Sequence, residues 1–230
     1  SWYNWSKSTL TKGDNNGSIA KIIIDYGGAV QTIPSSAFQS HRRLTKIVLP
    51  NCSYIGYRAF QSCYSLTSVS LPNCTYVDSA AFHMCIELTF VNLPNCSYIG
   101  NNAFSDCNKL TSVNLPNCSY VGGNAFADCY LLTSINLPIC SYVSNGAFAS
   151  CSVLSSIDLP NCSYIGSSAF ESCSSLIFVN LPLCEYVGRS AFYSCSSLIS
   201  INLQNCSYIS EGAFRGCIAL PSIDLPNCSY

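Results

Sequence analysis

Apolar residues recur along this chain with a period of 22. Aligned copies begin at Leu44, Leu66, Leu88, Leu110, Leu132, Leu154, Leu176, Leu198 and Leu220, with no insertion or deletion between them. A period of that order signals a solenoid or a propeller. A 22-residue unit is too short for a helix pair or a four-stranded blade, which leaves one solenoid coil with one main strand. In the copy Leu110–Leu131, Val113 and Leu115 occupy positions 4 and 6 and share one face of a short strand, while positions 3 and 5 point to the other. Pro116 at position 7 has no ladder donor and ends the strand. Cys118 and Val121 supply the next apolar positions, Gly122 turns the chain, and Ala125-Phe126-x-x-Cys129 predicts a short helical turn returning Phe and Cys to the interior. No coil buries much alone, so stacking builds the core. The expectation is a right-handed solenoid of about ten coils rising about 4.8 Å per coil.

Residues 1–21 break the pattern and are expected to cap the open first coil, with Trp2, Tyr3, Trp5 and Leu10 as apolar cover and a polar turn over Lys12–Gly17. Sugar stacking by Trp2 and Trp5 is the alternative. The β-branched run Ile19–Asp25 predicts a strand opening a degenerate first coil, 22–43, since Ala37-Phe38 falls one period before Ala59-Phe60. Regular coils follow over 44–219, and 220–230 is half a coil, as expected of a piece of a longer protein. Its last strand would offer an open edge, which invites weak self-association.

Charge adds little. The net charge is −1 and only 9% of residues are charged, so no basic field suggests nucleic acid. Seven of the ten basic residues lie at or before Arg58, against two acidic ones, so the rest of the chain is mildly acidic. No apolar run reaches the roughly 18 residues that span a bilayer, so no membrane insertion is expected, and the opening SWYNWSKS is not a signal peptide.

The chemistry-bearing residues follow the repeat. All 17 Cys, from Cys52 to Cys228, fall every 11 residues at positions 9 and 20, where a core takes a small hydrophobe. Vertical neighbours with parallel side-chain vectors suit a disulfide poorly. Free buried thiols are therefore expected, with bridged or metal-bound thiols as the alternative. No C-x-x-C occurs, and His41 and His83 are the only histidines, so no zinc site, nucleophile set or cofactor is nominated and an enzyme is not expected. Asn-Cys-Ser/Thr recurs from Asn51 to Asn227 because the repeat does. Tyr at position 11, Tyr54 to Tyr230, predicts an outward aromatic stripe that either stabilises the stack or grips a ligand.

Leu110, Val113, Leu115, Pro116, Val121, Gly122, Ala125, Phe126 and Cys129 together resemble the BspA-type leucine-rich repeat, whose units read L-x-x-I-x-I-P and then I-G-x-x-A-F-x-x-C. The likeness covers about residues 30–230. Units here are one residue shorter than the commonest length, and Cys stands at position 9 where the family usually has Val. The resemblance implies a leucine-rich-repeat solenoid with a parallel sheet, no enzymatic activity, and a surface or secreted, adhesion-like protein.

The expected binding surface is the sheet face of positions 3 and 5. Position 5 lines up Asn92, Asn114, Asn136, Asp158, Asn180 and Asn202, a column able to hydrogen-bond a glycan or protein ligand, or only itself and water. Position 3 is mostly Ser, interrupted by Phe90 and Phe178, the two of eleven Phe outside the Ala-Phe pairs. Ile177 and Ile199 at position 2 enlarge the second site. Aromatic anchors among polar groups are typical of recognition surfaces. A passive spacer, as in a surface stalk or phage-tail fibre, is the competing expectation.

Overall fold

The computed structural model describes the backbone of residues 21–24 and residues 30–228. Apart from Lys21, the expected cap over 1–21 lies outside them, as does Tyr230. Each coil up to the one that begins at Leu198 contributes two strands, whereas residues 220–228 form none, so the open-edged last strand expected there is absent among the described residues. The main series is Lys21–Ile24, Leu44–Val48, Ser68–Ser70, Phe90–Asn92, Ser112–Asn114, Ser134–Asn136, Ser156–Asp158, Phe178–Asn180 and Ser200–Asn202. The second series is Thr32–Ile33 and then the Tyr-Ile or Tyr-Val pairs from Tyr54–Ile55 to Tyr208–Ile209. Every pairing is parallel, and from Leu44 on each residue meets its counterpart 22 positions away, for example Val91 with Val113 and Tyr98 with Tyr120. The first coil is longer, since Ile23 pairs with Ile47.

The one-strand expectation is thus corrected to two. Position 11–12 strands are only two residues long, too short to show a period, and they hold together because Tyr rings stack from coil to coil with centroids 4.4 to 5.4 Å apart. The rings from Tyr54 to Tyr186 are half-buried. This stripe is a packing element of the second sheet.

The expected helical turn is also corrected. No helix occurs among the described residues. Instead, positions 15 and 19 of each coil adopt positive φ, as in Asn102 (55°), Asp106 (59°), Asn124 (52°) and Asp128 (59°). Alternate N–H groups then leave the coil: Asn102, Phe104 and Asp106 donate to the carbonyls of Gly123, Ala125 and Ala127 in the next one. The groups between them bond back three residues within the coil, as Ala103 to Gly100 and Cys107 to Phe104. A helix would spend all its donors internally. This zigzag spends half on the neighbouring coil, so a third ladder joins the stack.

Inside the triangle of ladders lies one continuous core. Leu at positions 1 and 6, Val or Ile at 4 and 12, Ala-Phe at 16–17 and both Cys columns are buried through the middle of the stack, apart from the half-buried Ile135, and become partly exposed at its ends, as at Phe38 and Phe214; Phe126 and Phe170 are wholly enclosed. Phe rings stack at 5.2 to 5.4 Å from Phe38 to Phe214.

Candidate functional site

The cysteines are free, and all but the half-buried Cys228 are buried. Each buried thiol has an acceptor. Position 20 donates to the Phe carbonyl of the preceding coil, as Cys129 to Phe104 (3.3 Å), and position 9 donates to the Tyr carbonyl two residues on, as Cys96 to Tyr98 (3.2 Å). A core hydrophobe that also carries a weak donor suits both columns. Burial pushes most of the thiols up, to about 12 at Cys63, Cys140 and Cys173 and about 11 at Cys162, whereas a hydrogen bond with the neighbouring Cys74 or Cys195 lowers Cys96 and Cys217. Thiolate chemistry is therefore suppressed near neutral pH.

One Ser, His and Asp do meet, which sequence reasoning missed because they are contributed by adjacent coils. Buried Ser105 donates its hydroxyl to Asp106 Oδ2 at 2.9 Å. His83 Nδ1 lies 3.2 Å from the Ser105 carbonyl oxygen and 3.5 Å from Asp106 Oδ2. The hydroxyl proton points at the carboxylate, so no imidazole is aligned to take it. No group of three or more His, Cys, Asp or Glu among the described residues is placed to hold a metal ion. No helix among them is long and apolar enough to cross a membrane.

The Asn of the Asn-Cys-Ser/Thr triplets is occupied: Nδ2 of Asn73, Asn95, Asn117, Asn161 and Asn205 each donates to the position 7 carbonyl one coil back, at 2.6 to 2.8 Å. Ile139 and Leu183 replace this Asn in two coils and stand exposed.

On the main sheet the strands carry the expected alternation, with position 4 inward and positions 3 and 5 outward. Phe178, Ile177 and Ile199 are 43%, 45% and 55% exposed and lie on neighbouring strands, the Phe178 strand pairing with Ser200–Asn202. Phe90 is as exposed but sits four coils away, roughly 19 Å along the stack at the strand spacing. The structure therefore makes two separate aromatic sites. Leu131 and Val153 at position 22, where other coils carry Ser, Glu, Lys, Arg or Ala, are also exposed at the entry to their strands and were not singled out from sequence.

The position 5 column forms a directional ladder. Asn114 Nδ2 donates to Asn92 Oδ1 (2.9 Å) and Asn136 Nδ2 to Asn114 Oδ1 (3.0 Å); Asn180 Nδ2 donates to Asp158 Oδ1 (2.8 Å) and Asn202 Nδ2 to Asn180 Oδ1 (2.9 Å). Between Asn136 and Asp158 there is no such bond among the described residues, because a carboxylate has no proton to give.

A parallel β-solenoid of stacked 22-residue coils with a polar, solvent-facing sheet is a repeat scaffold of the leucine-rich-repeat class, typically used for protein interaction. The chain belongs to the BspA type leucine rich repeat family, which matches residues 31–152 and 119–230. A search of curated proteins found no match. Among solved structures the fold is similar to a leucine-rich repeat protein from Bacteroides ovatus, with 22% identity and a TM-score of 0.54 over 97% of this chain and 82% of that one. A leucine rich cell surface protein from Faecalibacterium prausnitzii aligns at 23% identity and a TM-score of 0.38, over 86% of this chain and 77% of that one. At these identities the likeness concerns fold alone.

Proposed function

We propose that the chain is a non-enzymatic binding module of a cell-surface or secreted protein, engaging a protein or glycan ligand on the main sheet face. The observation carrying this reading is the exposure of Phe178 with Ile177 and Ile199 on a rigid sheet whose consensus at those positions is Ser and Thr. Three exposed apolar side chains contribute nothing to the core, yet they cluster beside the hydrogen-bonding groups of Asn180 and Asn202. Apolar anchors ringed by polar groups suit recognition. A passive spacer has no use for such a departure from its own repeat.

The test is to screen the chain against extracellular protein and glycan arrays and map any binder by hydrogen exchange. Protection at 134–136, 156–158, 178–180 and 200–202 is expected. Protection confined to the Tyr stack would move the site to the second sheet, and a chain without binders would be a spacer.

A further inference from the structure

The main sheet is split at one junction. Ser134–Asn136 pairs with Ser112–Asn114 on one side and Ser156–Asp158 with Phe178–Asn180 on the other, but these two strands are not paired with each other. Three ladders stop there together. The backbone ladder runs from Leu115 N–H to the Asn136 carbonyl and resumes from Leu159 N–H to the Asn180 carbonyl. The position 2 hydroxyl ladder, Thr111 to the Thr89 carbonyl and Thr133 to the Thr111 carbonyl, is not continued by Ser155. The amide ladder ends at Asn136, because Asp158, which accepts from Asn180, has no proton to donate to Asn136 Oδ1. Ile135 is correspondingly half-buried, where Val113 and Ile157 are 3% exposed. The rest of the coil boundary is intact: Tyr142–Val143 pairs with Tyr164–Ile165, Phe148 stacks on Phe170, and Asn161 reaches the Pro138 carbonyl.

The cause is local chemistry. In the ladder's direction this junction offers two acceptors where every neighbouring junction of the column offers a donor and an acceptor, and opposed acceptors disfavour pairing of the strands that carry them. What the notch lacks is a donor with positive charge. From Ser68 to Asn202, Asp158 is the only charged side chain at positions 3 and 5, and none of the three ion pairs among the described residues involves it. One coil on, the strand partner of Ser156 is the exposed Phe178.

We infer that the notch between Asn136 and Asp158 receives an arginine side chain of a protein partner. This deepens the reading of the sheet face as a binding surface and rests on it. A guanidinium is a planar fork of donors, matched to a carboxylate and an amide oxygen presented side by side, and its stem and face stack on an aromatic ring. The exposed Phe178 ring supplies that platform, and the mildly acidic balance beyond Arg58 draws a basic partner to it. A sugar hydroxyl could donate to the same oxygens but would leave the charge of Asp158 uncompensated.

The test is a backbone-amide NMR titration of the whole chain with N-acetyl-arginine methylamide, beside its neutral isostere N-acetyl-citrulline methylamide, methyl galactoside and calcium chloride. Saturable shifts centred on 134–136 and 156–158 are expected with the arginine compound, at least about tenfold weaker with citrulline. Asp158→Asn supplies the missing donor. It is expected to close the seam, seen as slower amide exchange at 134–137 and a urea midpoint no lower than before, and to abolish the arginine response. The inference falls if arginine and citrulline act alike, if only the galactoside or only calcium shifts these amides, if nothing does, or if Asp158→Asn binds arginine undiminished. Array binders that depend on Phe178 would then still stand, so loss of the arginine inference and loss of the binding face are told apart.

Discussion

Cys129 Sγ–H donates to the backbone carbonyl of Phe104, 25 residues earlier and one coil below, and the same bond recurs along the column from Cys63 to Cys217. Stability should therefore depend on pH on the alkaline side. Burial raises most of the folded thiols above their ordinary value of 9.0, to about 12 at Cys63, Cys140 and Cys173. A raised folded value means the neutral form is favoured in the fold. The contribution is complete below pH 9 and is lost as pH rises from there through the folded values, at about 1.4 kcal/mol per pH unit for each such thiol. Urea midpoints are expected to be flat from pH 6 to 8 and to fall steeply between 9 and 11. A midpoint unchanged at pH 11 would contradict this.

The same burial governs reactivity. Thiol titration of the native chain at neutral pH should find little beyond Cys228, and denaturation without reductant should release close to the full complement of 17. Recovery of only one or two free thiols would show that the columns are bridged.

The αL positions give a backbone test. Gly146 has φ 65°, and a Cβ there would sit on the Asn124 side-chain oxygen. Gly146→Ala is expected to cost at least about 1–2 kcal/mol, the left-handed penalty for a residue with a Cβ. It should lower the urea midpoint without changing the slope, and an unchanged midpoint would count against the zigzag geometry.

How far the sequence could foretell this structure depended on how each element encodes itself. The coil length, the inward Val and Leu of the main strand and the burial of both Cys columns were legible because each recurs at a fixed position with one chemistry. The second sheet was not, since Tyr-Ile pairs show no alternation and are held by ring stacking between coils. The zigzag passed for a helical turn because Ala-Phe-x-x-Cys has helical spacing. The contrary signal was the Ser, Asn, Asp and Gly at positions 15 and 19, several of which tolerate positive φ. The face of Phe178, Ile177 and Ile199 stood out as a departure from consensus. The seam did not, although the signal was one letter: Asp158 in a column of Asn removes a donor, which matters only once the ladder's direction is known.

Phe178 serves recognition and not folding, and Phe170, eight residues earlier at the end of the preceding coil, is the internal control. Phe170 is wholly buried and Phe178 is 43% exposed. Phe170→Ala should cost about 3–5 kcal/mol, whereas Phe178→Ser, which restores the consensus, should change stability by less than about 0.5 kcal/mol. The direct measurement is array binding of the wild type and Phe178→Ser side by side, with their urea midpoints as the check on folding. Loss of at least about tenfold in affinity for the binders of the wild type, at an unchanged midpoint, is the expected result. Unchanged binding, or a midpoint that falls as far as that of Phe170→Ala, would contradict it.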